Sequence, residues 1–240
     1  MRFGILLIAS LAFAQTPPEF EVATVKPSAL QPIGQTSKRM DWNSERLNFS
    51  YVSLKDVIGR AYRVQQYQIS GPDWLESERF DITAKLPPGS SSLQVAQMLQ
   101  GLLADRFKMA IHRETKELPV YALVVAKGGP KLKSSESDYG ISTNSNRTRL
   151  HVTAKATMPR FAEFLSGEIG RPVVDQTGLT SAYDFTIDWA VDDAIAPNDS
   201  SAGPSVFTAL QEQLGLKLDS SKGPVEIFVV DHANRSPSEN

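Results

Sequence analysis

Apolar residues recur along this chain with two periods, one typical of amphipathic helices and the other typical of strands with one buried face. The helical period occurs four times, at Leu54, Val57, Ile58, Ala61 and Tyr62; at Val95, Met98, Leu99, Leu102 and Leu103; at Met158, Phe161, Ala162 and Leu165; and at Val206, Ala209, Leu210 and Leu214. Strict alternation of apolar and polar residues occurs at 80–84 and 183–189. Both halves of the chain are therefore predicted to combine helices with strands.

An internal repeat organises these elements. The residues Phe-Asp-Ile-Thr at 80–83 recur as Tyr-Asp-Phe-Thr at 183–186, and the prolines and valines of 119–125 recur at 224–230. Repetition in the same order indicates a duplicated structural unit. We predict an α+β fold of two tandem β-α-β-β-α-β-β units, each a small mixed sheet covered on one face by two helices.

Stretches rich in glycine, serine, lysine and asparagine separate the predicted units. The predicted organisation is a signal peptide at 1–14, an N-terminal extended segment at 15–45, a first α+β unit at 46–126, a linker at 127–148, a second α+β unit at 149–232 and a flexible tail at 233–240. Each unit is expected to close with a hairpin, formed by 107–112 with 120–125 in the first and by 216–218 with 225–230 in the second.

Residues 1–14 have the pattern of an export signal. Arg2 supplies a positive start, residues 3–13 are almost all apolar, and a small-x-small cleavage motif ends at Ala14. The apolar run is too short to span a bilayer core of about 30 Å comfortably, and no second run follows it. We expect an exported protein, periplasmic or extracellular, with no membrane span after cleavage.

Composition and charge exclude several classes of function. The chain has 25 Lys and Arg against 27 Asp and Glu, a formal net charge of −2, so it lacks the basic balance of a nucleic-acid-binding protein. With 41% hydrophobic residues it can bury a core, which excludes wholesale disorder. It has no cysteine, which excludes disulfides, thiolate nucleophiles and cysteine-ligated metal sites.

The sequence carries none of the common hydrolase motifs. There is no Gly-x-Ser-x-Gly elbow, no Ser-x-x-Lys and no His-Glu-x-x-His. We expect no cofactor and no metal site. A zinc site needs three or four converging ligands, and the histidines of the chain are His112, His151 and His232. His112 and Glu114 have a two-residue spacing on one strand face, which is better explained as a histidine paired with a nearby carboxylate. The acidic loop at 192–199 lacks the oxygen spacing of an EF-hand, which favours a solvated loop.

A few residues are nevertheless candidates for a functional site. Asp81 and Asp184 occupy the same position of the repeat and, with His112, are the weak candidates for acid–base catalysis. A structural role is favoured for both carboxylates, since a duplicated unit repeats structural residues as readily as functional ones. Trp74 lies in a predicted turn, where it either anchors a partner or covers a small core. Trp189 continues an alternating stripe and is predicted to lie in the core.

Four runs of the sequence match a known family. They are Phe-Glu-Val-Ala at 20–23 with Lys26-Pro27; Leu-Ala-Asp-Arg-Phe-Lys at 103–108 followed by His-Arg-Glu-Thr-Lys-Glu-Leu-Pro-Val-Tyr at 112–121; Gly-Arg-Pro-Val-Val-Asp at 170–175 followed by Thr-Gly-Leu at 177–179; and Leu-Gln-Glu-Gln-Leu-Gly-Leu at 210–216. In these runs the chain resembles the soil-associated secreted protein family, a bacterial domain of unknown function. The resemblance implies an exported protein without an established activity. It also suggests a sensory role, because some relatives carry the domain beside a sensor-type membrane metallopeptidase.

The predicted order of elements is also similar to the short N-terminal domain of secretins and TonB-dependent receptors. The similarity includes apolar positions such as Leu54, Val57, Leu99 and Leu102. It implies a small periplasmic interaction module, present here twice in tandem.

These observations leave three alternative hypotheses for the function. The leading hypothesis is an exported, non-catalytic binding or sensory module, in which a sheet edge at 120–125 or 225–230 adds a strand from a protein or peptide partner. The second is a hydrolase with a site between the two units that uses Asp81, Asp184 or His112. The third is an envelope component that associates with itself through the same edges, and the oligomeric state is left open.

Overall fold

The computed structural model describes residues 17–29, 38–146, 148–190 and 203–238. The predicted signal peptide at 1–14 and the acidic loop at 192–199 lie outside these residues.

The described residues form an α+β fold with several sheets, which confirms the predicted class. The strands are β1 (Val22–Pro27), β2 (Arg39–Trp42), β3 (Arg46–Val52), β4 (Ile69–Ser70), β5 (Phe80–Lys85), β6 (Ala110–Val125), β7 (Lys133–Ser135), β8 (Gly140–Ser145), β9 (Arg149–Thr157), β10 (Val173–Asp175), β11 (Ala182–Ala190) and β12 (Leu216–His232). The helices are α1 (Leu54–Tyr62), α2 (Trp74–Ser77), α3 (Ser92–Phe107), α4 (Met158–Ile169) and α5 (Val206–Ala209), which continues as a π-helical turn at Leu210–Leu214. A 3₁₀ turn lies at Gln66–Gln68.

The chain divides into two compact units. The first takes its described residues from 1–64, 71–111 and 230–240, and the second from 65–70 and 112–229. This division differs from the predicted units, because it places the short segment 65–70 and most of β6 in the second unit.

The first unit contains a four-stranded antiparallel sheet in the order β1-β5-β3-β2. The residues of β5 are alternately buried and exposed along the whole strand, as the sequence pattern predicts. Helices α1 and α3 pack against each other and bury their apolar faces. Phe107, the last residue of α3, meets Phe80 of β5 edge to face at 5.2 Å between ring centroids, and such pairs add about 0.5–1.5 kcal/mol beyond their burial.

Local chemistry sets the ends of these two helices. Ser53 and Asp56 form a capping box at the start of α1, and Ser91 and Gln94 form one at the start of α3. Each box satisfies amide groups that the first turn of a helix leaves unpaired. Both helices end at a non-glycine residue in the left-handed conformation.

The second unit contains an antiparallel sheet in the order β7-β11-β9-β8. Its core includes Phe161 of α4, whose ring lies 4.8 Å from that of Phe185 in β11, in an edge-to-face arrangement. Trp189 is only 5% exposed, which confirms its predicted core position. Helix α4 ends at Gly170, where a φ of 66° stops the helix.

A third sheet, in the order β10-β6-β12-β4, corrects the predicted hairpins. Each predicted hairpin is a single long strand. β6 continues through Pro119, and β12 continues through the serine, glycine and proline residues at 220–224. Arg113 lies over Phe228, and Gly223 lies beside Val120. These contacts run in opposite order along the two strands, so β6 and β12 are antiparallel.

The segments 120–125 and 225–230, which the sequence predicted as sheet edges, lie in inner strands. Residues 121–123 pair in parallel with β10, and residues 228–229 pair in parallel with β4. While β10 and β4 are in place, a partner strand is therefore not expected to add at these positions.

The stretch 127–148, predicted as a linker, contains β7 and β8. These strands are the two outer strands of the sheet β7-β11-β9-β8. Both are polar and mostly exposed, so neither shows the apolar alternation that identifies a half-buried strand.

None of the helices in the described part of the chain is long and apolar enough to cross a membrane.

Two helix-ending glycines provide a matched test of close packing. Gly170 and Gly215 both have a φ of 66°. A Cβ on Gly215 would lie 2.0 Å from the carbonyl oxygen of Gly129, whereas the described atoms leave the corresponding space at Gly170 open. Gly170→Ala is expected to cost about 1–2 kcal/mol, the cost of a left-handed alanine. Gly215→Ala is expected to cost clearly more, because the backbone near Gly129 must move.

Urea denaturation of the two variants measures this difference as a shift in transition midpoint. Equal losses of stability would contradict the close approach of Gly215 to residue 129.

Candidate functional site

Asp81 supports an irregularity in the neighbouring strand β3. Its Oδ1 accepts hydrogen bonds from the Ser28 hydroxyl at 2.7 Å and from the backbone N–H of Tyr51 at 2.8 Å. Tyr51 has a φ of 55°, which is uncommon for a residue with a side chain, and the register of β3 against β5 shifts at this point. These contacts give the Asp81 carboxylate a structural role.

Asp184 lies between two lysines of neighbouring strands. It is opposite Lys155 of β9 and Lys133 of β7 in the ladder, and its Oδ2 lies 3.3 Å from Lys155 Nζ. The two side chains of this ion pair are 44% and 37% exposed, so the pair contributes about 0–1 kcal/mol. Asp81 is opposite Lys26 of β1 in the same way, so a lysine faces the repeated aspartate in both sheets.

His112 and Trp74, the other candidates from the sequence, lie on different elements. His112 is an exposed residue near the start of β6. Trp74 is the first residue of the four-residue helix α2 and is partly buried, while its neighbour Leu75 is 2% exposed. Within the described ranges, no three His, Asp or Glu side chains converge in a way that could hold a metal ion.

A group centred on His151 was not identified from the sequence as a unit. His151 Nδ1 lies 2.7 Å from Asp188 Oδ1, and its Nε2 lies 3.3 Å from the Thr153 hydroxyl. The order carboxylate, imidazole, hydroxyl is that of a nucleophile relay. However, His151 and Asp188 are 48% and 41% exposed on the solvent face of the sheet, where water competes for each contact. The group is better explained as a cross-strand pair that joins β9 to β11.

Two of the sequence runs that carry the family resemblance have structural roles. Gln213, in the π-helical turn, accepts a hydrogen bond from the Asp188 N–H at 3.0 Å and donates one to the Asp188 carbonyl at 2.9 Å. β7 pairs with residues 182–184 of β11. At Asp188, beyond the end of β7, the Gln213 side chain supplies the backbone hydrogen bonds that a neighbouring strand would make. Arg171 lies 4.1 Å from the ring centroid of Tyr121 and donates to the carbonyl of Val120 at 3.2 Å, which attaches the start of β10 to β6.

The same turn chemistry occurs before β3 and before β9. Asn43 Oδ1 accepts from the N–H of Arg46, and Asn146 Oδ1 accepts from the N–H of Arg149. In both turns the asparagine N–H also donates to the arginine carbonyl. The motif Asn-x-x-Arg-Leu occurs at 43–47 and again at 146–150. This sequence signal, which the predicted repeat does not include, indicates that the repeat also contains the strands before these turns, β2 and β8.

An ion pair joins the residues before β2 to α1, and another joins the residues before β8 to α4. In the first pair the helix supplies the negative charge, and in the second it supplies the positive charge. Lys38 Nζ lies 2.9 Å from Asp56 of α1, whereas Asp138 lies 2.8 Å from Arg160 of α4. Burial alone would raise the pKa of Asp56, but the hydrogen bonds from Lys38 and Ser53 outweigh it and hold the pKa below its ordinary value of 3.8. This contact therefore stabilises the first unit above that pH and loses its contribution as the pH falls through the lowered pKa.

The segment 65–70 occupies a groove of the second unit beside β12. Ile69 and Ser70 pair in parallel with Phe228 and Val229, and the Gln68 amide donates to the Glu226 carbonyl at 3.1 Å. The side chain that fills the groove is Tyr67.

Three buried residues, Val120, Val225 and Ile227, form the apolar cluster against which Tyr67 packs. Desolvation raises the pKa of Tyr67, the negative charge of Glu163 adds to the increase, and a hydrogen bond with Ser166 partly offsets it. Ser166 is 4% exposed and also accepts from the Val173 N–H at 2.8 Å. The Tyr67 phenol therefore has a hydrogen-bond partner on α4 that is itself fixed by the backbone of β10.

β8 is an exposed edge strand that differs from the other edges of the two antiparallel sheets. It pairs with β9, and its six residues, Gly-Ile-Ser-Thr-Asn-Ser, carry neither a charge nor a proline. Edge strands are usually protected by charge, proline or short length. β1 ends in Lys26-Pro27, β2 carries Arg39 and Asp41, and β7 has three residues.

A groove of about 1040 Å³ lies in the first unit. It is lined by residues 17–23, Tyr62 and the face of α3 between Gln97 and Arg106. No histidine is among the lining residues, and the charged ones are Glu19, Glu21, Asp105 and Arg106.

The comparisons with known proteins identify a family but no activity. The family model described as "Protein of unknown function (DUF3738)" matches residues 55–233, and the chain therefore belongs to this family. No curated protein and no solved structure matches the chain significantly.

Asp81 and Asp184 provide a matched test of the structural role assigned to the first. Asp81→Ala removes two hydrogen bonds, one of them to a residue with positive φ, and is expected to lower the free energy of unfolding by about 1–3 kcal/mol. Asp184→Ala removes an exposed ion pair at the same position of the repeat and should cost no more than about 1 kcal/mol. Guanidinium denaturation checks both values, and an equally small loss for the two variants would refute the role of Asp81.

Proposed function

We propose that this protein is an exported, non-catalytic module that binds a protein or peptide partner by adding the partner's strand to β8. The proposal includes cleavage of the predicted signal peptide at 1–14 and the soil-bacterial origin that the sequence resemblance implies. It keeps the leading hypothesis from the sequence but moves the site of strand addition from the inner strands β6 and β12 to an exposed edge.

The observation that carries the proposal is the backbone of β8, which no strand of the described residues pairs with on its outer side and which has neither a charge nor a proline. A partner strand that adds to an edge gains main-chain hydrogen bonds along its length, and side chains on alternate positions then give specificity. Ile141 and Thr143 are opposite Ala154 and Val152, which point into the core, whereas Ser142 and Asn144 are opposite residues on the solvent face. A strand added to this edge would therefore have one face next to the apolar core residues of β9 and the other face next to its polar, exposed residues.

Catalysis has less support than binding. Asp81 and Asp184 are each engaged in contacts that hold neighbouring strands, and the His151 group lies on a solvated sheet surface. The hydrolase alternative would need converging titratable groups in a cleft.

We also propose that the chain contains a duplicated unit that is larger than the repeat seen first in the sequence. The sheet orders β1-β5-β3-β2 and β7-β11-β9-β8 correspond strand by strand in chain order, and the Asn-x-x-Arg-Leu turns match. In this proposal β7 and β8 are the second copies of β1 and β2, and the similarity to the tandem interaction modules of secretins concerns this repeated unit.

The experiment that tests the function compares three forms of the protein in a pull-down from envelope extract of its host. Thr143→Lys places a charge on the edge at the position opposite Val152, and charged side chains are a device that natural edge strands use to prevent pairing. Thr186→Lys adds the same charge to the solvent face of the inner strand β11 and is the matched control. A partner retained by the wild type and by Thr186→Lys, but reduced at least about tenfold by Thr143→Lys, is the expected result.

Retention of the same proteins by all three forms would contradict the β8 site, and retention of nothing by the wild type would contradict the binding function. If the retained partner is a second copy of the chain, light scattering will show a dimer that Thr143→Lys abolishes, and the self-association alternative will then be correct.

A further inference from the structure

The segment 65–70 has the features of a bound peptide rather than of a structural connection. Its chain neighbours on both sides, Val64 and Gly71, belong to the first unit, while the six residues themselves belong to the second. The segment contributes a two-residue strand and a single 3₁₀ turn. It is therefore a short extended stretch held by another part of the chain.

Its contacts combine backbone pairing with side-chain pockets, as in known modes of peptide recognition. Ile69 is 7% exposed and pairs with Phe228 of β12. Tyr67 fills the cluster of Val120, Val225 and Ile227 and has its hydroxyl at Ser166. Alternate residues of the segment thus enter the groove.

The α4 surface completes the groove at the segment's N-terminal end. The Gln65 amide lies over Gly167, and a Cβ on Gly167 would come within 3.3 Å of Gln65 Nε2. The absence of a side chain at Gly167 therefore makes room for the residue two positions before the tyrosine.

In the described part of the chain, the main core of the second unit does not include the segment. The main core of the second unit, as far as the structure describes it, is built around Phe161, Phe185, Trp189 and their neighbours and includes no residue of 65–70. Departure of the segment would uncover Val120, Val225 and Ile227, an apolar surface beside an unpaired part of β12.

We propose that this groove is a recognition site for an extended peptide with tyrosine two residues before isoleucine or another β-branched residue, and that residues 65–70 occupy it as a tethered ligand. A partner peptide with the same pattern displaces the segment, pairs with β12 and places its phenol at Ser166. This site lies apart from the β8 edge, so its existence is independent of the function proposed above.

The covalent connection of residues 65–70 to the rest of the chain determines how tightly a free peptide should bind. A segment joined to the protein by short connections competes with an effective concentration on the order of millimolar. A free peptide should therefore bind the wild type weakly and bind much more tightly to a protein whose own segment has been weakened.

The test uses a fluorescein-labelled peptide with the sequence of residues 63–71, Arg-Val-Gln-Gln-Tyr-Gln-Ile-Ser-Gly, and the full chain. Fluorescence anisotropy compares the wild type with the variant Tyr67→Ser/Ile69→Ser, and with Tyr139→Ser, which removes an 82%-exposed tyrosine elsewhere and is the matched control. The double variant is expected to bind the peptide at least about tenfold more tightly than the wild type and the control. A peptide with serine in place of tyrosine should not bind, and Thr143→Lys in β8 should leave the binding unchanged.

Absence of binding to a double variant that is folded by circular dichroism would overturn the proposal. If the double variant does not fold, hydrogen exchange of the wild type decides. The proposal predicts that the amides of 65–70 exchange through a local opening, faster than those of residues 225–228 in β12. Exchange of both segments only together, in global unfolding, would show that the groove never opens and would also overturn the proposal.

Discussion

The parallel pairing of Ile69 and Ser70 with β12 is the contact on which the division of this chain depends. Residues 65–70 lie between α1 and α2 in the sequence, but because of this pairing they belong to the second unit. Without them the cluster of Val120, Val225 and Ile227 would lose Tyr67, and β12 would lose its outer neighbour. On the opposite side of the same sheet, β10 covers β6, also in parallel. Both long strands are therefore inner strands, and a partner strand can pair with β12 only by displacing residues 65–70.

The sequence predicted those elements whose signals are local. Helices α1, α3 and α4 follow from apolar residues spaced three or four apart, and capping residues such as Ser53 and Ser91 fix their starts. The two predicted closing hairpins were wrong. β12 continues through Ser-Ser-Lys-Gly-Pro, which has the same local pattern as a turn, and β6 continues through Pro119. Which strand pairs with which is decided by contacts distant in sequence, and no periodicity reports them. β8 escaped prediction for another reason, since an exposed edge strand needs no apolar alternation.

The candidate site shows the same limit. The repeat pointed to Asp81 and Asp184 as equivalent positions, and in the structure a lysine is opposite each of them in the ladder. The function of Asp81 became visible only with the positive φ of Tyr51, because nothing in the local sequence marks that conformation. Similarly, the residues of the 65–70 groove come from three separate regions of the chain, β6, α4 and β12. Membership of a family of unknown function adds no residue roles, so each role assigned here rests on contacts.

The most direct test of the account is a cross-link between β4 and β12. The chain contains no cysteine, so Ser70→Cys/Val229→Cys introduces one defined pair at positions that are opposite each other in the ladder. Paired strand residues lie within the range of about 4.4–6.8 Å between Cα atoms that a disulfide requires. We predict that mild oxidation closes this bond within a single chain, seen as faster migration on a non-reducing gel, and that Ser70→Cys/Glu226→Cys, which is out of register, closes poorly. A protein that stays reduced, or links only to a second copy, would contradict the placement of residues 65–70 in the second unit.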